Sequence, residues 1–230
     1  MRDSNIVRKL ILWAWASFMG VFIRKVINTF RPTANILGKL QGGQERIKKD
    51  TLKWMHEGHY KSDDYSSLDA NGRALVDYVC NHAKTNEKIL DICCNQGRFI
   101  LELRRRSYTK LYGFDVMGAA IQKLKQSEDY NADLIHVEHC LAQEYFADKG
   151  DKYFDWAITY TATIELIHPQ FDIFRELGRT VNKGMFLVLN ENGHSYPRFY
   201  RLLHWMNGFK IVAISKQAKN IVLIHSVKVR

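Results

Sequence analysis

Hydrophobic and polar positions settle, after a polar hinge at LQGGQERIKKD, into an alternation of strand-like and helix-like segments. Short apolar, branched runs appear at KILDIC (88–93), KLYGFD (110–115), DLIHVE (133–138), FDWAITY (154–160) and GMFLVLN (184–190). Such runs read as buried strands. Helical periodicity fills most of the gaps, as in GRFILELRRR (97–106), GAAIQKLKQS (118–127) and PQFDIFRELGRTV (169–181). Strand and helix in strict alternation predict a parallel sheet covered by helices on both faces. The pattern then changes. FKIVAISK and NIVLIHSVKV are separated only by a short polar turn near Gln217–Lys219, which predicts a C-terminal antiparallel hairpin.

Upstream, LILWAWASFMGVFI runs from Leu10 to Ile23 without a charge, between Arg8-Lys9 and Arg24-Lys25. A membrane-spanning helix needs about 20 apolar residues, so this run is short for one. A signal peptide is the rival reading, but the only Ala-x-Ala, at Ala14–Ala16, falls inside the run instead of after it. Trp13, Trp15 and the flanking cations resemble interfacial anchors. Two readings stay open for residues 6–27: a helix dipping into a membrane surface, or one packed on its own domain or a partner subunit. A polar hinge, LQGGQERIKKD, follows. WMHEGHYKSDDY (54–65) reads either as a substrate-facing lid or as a surface linker. The expected organisation is a basic, apolar arm over 1–50, a lid or linker over 51–74 and an α/β domain over 75–230.

Charge sharpens that division. The 230-residue chain carries a formal net charge of +10, yet residues 1–50 hold 10 Lys and Arg against 3 Asp and Glu, while 51–230 hold 24 against 21. A basic arm suits an anionic surface, and a nearly balanced body gives no sign of a nucleic-acid groove. Hydrophobic residues at 46% and charged residues at 25% are ordinary for a globular protein. The 4 cysteines include the neighbours Cys93 and Cys94 and offer no CxxC spacing, so a disulfide framework or zinc site is not expected. A reducing, cytoplasmic compartment is the natural reading, with peripheral membrane contact if residues 6–27 dip into a membrane surface.

The turn after the first strand carries the chemistry. In an open parallel sheet, ligands bind at the carboxyl ends of the strands where the winding direction switches. Small residues at 93, 95 and 97 would let the backbone come close to a ligand. The next strand ends in Asp115, 24 residues after Asp91, and a carboxylate there can accept both hydroxyls of a ribose. Asp115 is also a good residue to cap the helix starting near Gly118.

Residues from about 75 to 228 resemble a class I S-adenosylmethionine-dependent methyltransferase. That family's first motif is Asp-x-Gly-Cys-Gly-x-Gly, and here it reads Asp91-Ile92-Cys93-Cys94-Asn95-Gln96-Gly97. Cys93 and Asn95 stand where the family has glycine. Asn tolerates a left-handed backbone, whereas the Cβ of Cys93 points into space that glycine leaves empty and is expected to narrow the pocket or shift the backbone. Further along, Cys140-Leu141 stands where the third strand's loop meets adenine. KYFDWAITYTATIELI matches the family's fourth strand, with Ile164-Glu165 at the following helix start and Leu166 in place of a histidine. GMFLVLNE matches strand five, and MNGFKIV the entry into the hairpin.

The resemblance implies an α/β fold, a Rossmann-like three-layer sandwich with a seven-stranded, mostly parallel sheet and an antiparallel C-terminal hairpin. It implies S-adenosyl-L-methionine as cofactor, bound by Asp91, Cys93, Asn95, Gly97, Asp115, Val116, Cys140, Leu141 and Tyr160. The reaction it implies is O- or N-methylation of a small-molecule, sugar or lipid-linked acceptor. The Asp/Asn-Pro-Pro-Tyr signature of nucleobase methyltransferases is replaced by TYTATIE, which argues against base methylation and nucleic acid. His168 and His194, in loops on the ligand rim, are the candidates for a general base, although a lone rim histidine is usually a polar loop residue. Glu165, Glu191, Tyr60 and Tyr160 share that ambiguity. Arg104-Arg105-Arg106 reads as the solvated C-terminal end of a helix, where cations suit the macrodipole. His136 and His139 read as partly exposed residues and not as ligands, and no metal site is expected. A second copy of the chain stays open as a partner. The rival from another class is a catalytically silent binding or scaffold protein that kept the fold.

Overall fold

A computed structural model describes residues 66–161, 164, 167, 171–190, 204–218 and 221–229. The chain divides into two units, Met1–Glu57 and Gly58–Arg230, and every described residue belongs to the second. The arm, the stretch 6–27, the segment 54–65, and Tyr60, Glu165, Leu166, His168, Glu191 and His194 lie outside the described residues.

The first element, α1 (Ala70–Cys80), starts where Asp69 accepts a hydrogen bond from the Gly72 amide at 2.6 Å. This satisfies one of the donors that a helix start leaves orphaned. It crosses position 75, where the sequence places the start of the domain. The alternation then runs β1 (Ile89–Ile92), α2 (Arg98–Arg105), β2 (Leu111–Asp115), α3 (Gly118–Lys125), β3 (Ile135–His139), α4 (Ala142–Ala147), β4 (Phe154–Tyr160), α5 (Ile173–Thr180), β5 (Val181–Asn190), β6 (Phe209–Ala218) and β7 (Ile221–Lys228). The sheet order is β3-β2-β1-β4-β5-β7-β6. Strands β1 to β5 pair in parallel, while β7 lies antiparallel between β5 and β6. The expected α/β sheet with its terminal hairpin is therefore present.

Two core clusters, one on each face, make the three layers. Leu75, Val76 and Val79 of α1, Ile100 and Leu103 of α2, and Ile121 and Leu124 of α3 pack on one side of the sheet. Tyr145 and Phe146 of α4, with Ile173, Phe174 and Leu177 of α5, pack on the other. Burying each of these side chains contributes about 1.5–3 kcal/mol, so the two faces rather than helix propensity hold the elements in place.

Three boundaries differ from the pattern reading. Strand β5 begins at Val181, three residues before the expected Gly184, because Val181 closes α5 and opens the strand without a connecting loop. Helix α5 begins only at Ile173, after Asp172 accepts the Arg175 amide at 3.2 Å. In the hairpin, Gln217 and Ala218 belong to β6, so the expected turn at Gln217–Lys219 starts later. Strand β6 is an edge, with register shifts at Ile211/Ala213 and Lys216/Ala218. The arginine run ends α2 on the surface as expected. Arg105 pairs with Asp129 and Glu102, and Arg106 with Asp77 and Glu102.

Candidate functional site

The switch point of the sheet lies at β1, whose neighbours β2 and β4 are reached by crossovers in opposite directions. At its carboxyl end the chain turns through Cys93–Gly97 into α2. The backbone there is unusual in a patterned way. Cys93, Asn95 and Gly97 have φ of 54°, 53° and 72°, so alternate residues are left-handed. These are the three glycine positions of the resembled motif. The conformation those glycines serve is therefore kept, although a Cβ in this region costs about 1–2 kcal/mol. Cys93 does not shift the backbone away from the glycine geometry, and its half-buried side chain packs against the cluster containing Leu90, Ile92 and Phe114. Asn95 lessens its own strain by accepting the Gln96 amide on Oδ1 at 2.6 Å. At Gly97 a Cβ would come within 2.4 Å of Leu124, so glycine is required by contact as well as by φ.

Within the turn the amides are already engaged. Cys94 N–H donates to Phe114 O (2.9 Å) and Gly97 N–H to Cys94 O (2.8 Å). Asn95 N–H donates to Asp115 Oδ2 at 2.9 Å. Four successive amides with internal partners do not make a phosphate cradle of the kind a glycine-rich nucleotide loop provides. The buried Cys94 is held on the far side of the turn, with its sulfur where a Cβ on Gly113 would lie only 2.9 Å away.

Two carboxylates face this turn. Asp115 accepts Asn95 N–H on one oxygen and Met117 N–H on the other, at 2.9 and 2.8 Å. Helix α3 has Met117 as its N-cap residue without a side-chain cap, so Asp115 organises the turn instead of capping the helix. Each of its oxygens keeps a second lone pair. Burial lifts its carboxyl above the ordinary range, against the two amides and nearby His139. Asp91 is more extreme. It is 3% exposed, and its Oδ2 has no hydrogen-bond partner among the described residues. Burial raises its carboxyl well above the usual range, with Arg98 opposing and Asp115 adding to the rise. An orphaned buried carboxylate oxygen beside a ligand rim is costly unless a donor arrives.

The remaining site residues lie on the same rim. Val116 follows Asp115, and its carbonyl meets the exposed His139 ring at 3.1 Å. Cys140 donates its amide to Asp115 O at 3.1 Å, and burial, with Glu138 and Glu144 beside it, pushes its thiol up to about 12. Leu141 is buried, and its amide donates to Glu144 Oε2 at 2.9 Å. Tyr160 ends β4, and its hydroxyl donates to Asp69. Asp91, Cys93, Asn95, Gly97, Asp115, Val116, Cys140, Leu141 and Tyr160 thus gather at the carboxyl edge of four adjacent strands. The proposed bases His168 and His194 fall outside the described residues. Among the described residues no cluster could hold a metal ion. Nor does any helix there have the length and apolarity to cross a membrane. Sequence reading passed over Asp69 and Arg98. The signal for Asp69 was available, since an Asp before the apolar-periodic ALVDYV is a helix-start signature.

Residues 63–213 match the family described as methyltransferase domain. No curated protein matches the chain. Among solved structures, the magnesium protoporphyrin IX methyltransferase of Synechocystis PCC 6803 with bound S-adenosylmethionine is similar. It has a TM-score of 0.54 and 15% identity, over 68% of this chain and 77% of that one. An S-adenosylmethionine-dependent methyltransferase from Mesorhizobium loti gives 0.57 at 10% identity, over 70% and 98%. A putative one from Listeria monocytogenes gives 0.51 at 12%, over 68% and 99%. At these identities the structures speak to the fold, and the family match extends across most of it. The chain belongs to the class I methyltransferases, enzymes that use S-adenosylmethionine as cofactor.

Proposed function

We propose that the domain methylates an oxygen or nitrogen of a small-molecule, sugar or lipid-linked acceptor, with the cofactor seated on the Cys93–Gly97 turn. The observation that carries the seating is the orphaned Asp91 oxygen, a buried acceptor at the ligand rim that matches an ammonium donor. Asp115 would receive the ribose hydroxyls on its free lone pairs, and Val116, Cys140 and Leu141 would border the adenine. S-adenosylmethionine supplies an electrophilic methyl on a sulfonium. Because that positive charge disappears as the methyl leaves, the protein's task is to orient the two reactants and exclude water, not to trap an oxyanion. A hydroxyl acceptor would want a base within hydrogen-bond reach, the role proposed for His168 or His194.

For the acceptor, the support is the balanced charge of residues 51–230 and the uncharged run Leu10–Ile23 between cation pairs. We assign residues 1–50 as an arm that brings the domain to an anionic membrane surface. Removing residues 1–30 should release the protein from the membrane fraction; retention would exclude the arm. Isothermal titration with S-adenosylmethionine tests the seating. Asp115→Ala should weaken binding by about 1–3 kcal/mol as charge-assisted hydrogen bonds are lost, and unchanged affinity would remove Asp115 from the ribose role.

A further inference from the structure

Tyr160 and Arg98 flank the cofactor turn and both reach the start of α1. The Tyr160 hydroxyl lies 2.8 and 2.7 Å from the two Asp69 oxygens, 91 residues away in sequence. The Arg98 guanidinium lies over the rings of Tyr160 and Phe99, at 5.0 and 5.1 Å, and its Nη1 donates to Ser67 O at 3.1 Å. The Phe99 and Tyr160 rings are themselves 5.3 Å apart. Asp69 does two things at once, since the same carboxylate accepts the Gly72 amide that begins α1. Its carboxyl lies below the ordinary range. Burial pushes it up, but the Tyr160 hydroxyl, the Gly72 amide and the charges of Arg98 and Arg73 outweigh that.

The place of this cluster follows from register. Asp91 pairs with Ile158, so Tyr160 lies two residues beyond, level with Cys93. Arg98 follows Gly97 directly. Sheet order places β2, with Asp115, on one side of β1 and β4, with Tyr160, on the other. If the ribose rests on Asp115, the amino-acid end of the cofactor runs across β1 toward β4, past Asp91 and up to this cluster. We infer that Asp69, Arg98 and Tyr160 are positioning residues that clasp the start of α1 against the amino-acid end of the cofactor. The inference rests on the cofactor seating proposed above. A held wall lowers the ordering cost of binding at that end and leaves the nucleoside end untouched.

Two ligands separate the ends: S-adenosylhomocysteine, which carries the amino acid, and 5′-methylthioadenosine, which lacks it. Tyr160→Phe removes the hydroxyl while keeping the ring beneath Arg98. Asp69→Asn removes the charge while keeping a good helix cap. Titrated into the full chain, both variants should bind S-adenosylhomocysteine about tenfold more weakly and hold 5′-methylthioadenosine within about twofold, at nearly unchanged melting temperature. Equal weakening for both ligands would reduce the cluster to a fold element and overturn the clasp. So would wild-type affinity for S-adenosylhomocysteine in both variants. If the wild-type protein binds neither ligand, the cofactor seating itself fails and the clasp fails with it.

Discussion

Strand β1 carries a buried carboxylate just beyond one end and another near the other, and the two are treated oppositely. Glu87, 7% exposed, precedes the strand and is fully engaged. It accepts the indole N–H of Trp156 at 2.6 Å and the Lys84 amide at 3.0 Å, and it pairs with Lys183. Burial raises its carboxyl, but the bonds from Lys183, Lys84 and Trp156 outweigh that and hold it below the ordinary range. Asp91, at the carboxyl end, is similarly shielded and has an oxygen with no partner among the described residues. A satisfied buried charge fastens a fold, whereas an unsatisfied one marks a place where the protein gives up stability for a ligand.

The sharpest way to break this comparison is to remove Glu87. Glu87→Ala should destabilise the domain by about 2–3 kcal/mol, because the buried Trp156 indole and the Lys84 amide lose their acceptor. Urea denaturation would show it, and cofactor affinity of the remaining folded protein should not change. Asp91→Asn should do the reverse. Cofactor binding should weaken by about 1.5–3 kcal/mol, while the unliganded domain becomes more stable at neutral pH. The sign follows from linkage. The folded carboxyl titrates above the unfolded one, so the wild-type penalty is present at pH values above the folded pKa and disappears as pH falls toward about 4. The stability gap between Asp91→Asn and wild type should therefore close in acid; a gap that widens would refute the orphan assignment.

A smaller effect is expected at His225, buried on β7 near Phe186, Trp156 and, at 4.6 Å between ring centroids, His82 of the segment after α1. Burial, and then His82, bring its imidazole down to about 4. The folded state binds fewer protons than the unfolded one between that value and about 6.5, so stability should fall as pH drops through this window. His225→Phe should flatten the acid limb of a stability–pH curve. The smallest effect belongs to Cys93→Gly. Relief of the left-handed strain, about 1 kcal/mol, is nearly offset by lost packing and the greater freedom of glycine in the unfolded chain. A melting temperature within a few degrees of wild type, with cofactor affinity kept, is the expected result.

Order and type of the sheet elements were legible because each strand is a short apolar run bounded by polar residues. The Val181 boundary was not, since a chain that passes from helix to strand without a loop leaves no polar punctuation. At the site, Asp91 and Asp115 were legible from strand-end position. Gly97 and Asn95 announce left-handed backbone by residue type, whereas Cys93 does not, and only the motif comparison placed it. The Asp69–Tyr160 contact lay beyond pattern reading because no local periodicity encodes a bond across 91 residues.

The two lateral borders of the sheet bear on how the molecule behaves in a crowded solution. Strand β6 has Lys210 and Lys216 exposed along its length and two interruptions of register. Strand β3, the opposite border, is five residues long with His136, Glu138 and His139 exposed. A β-segment arriving from a neighbouring molecule would meet ammonium groups and broken spacing on one flank, and too brief a template on the other. Fibrillar growth through this sheet is thereby disfavoured.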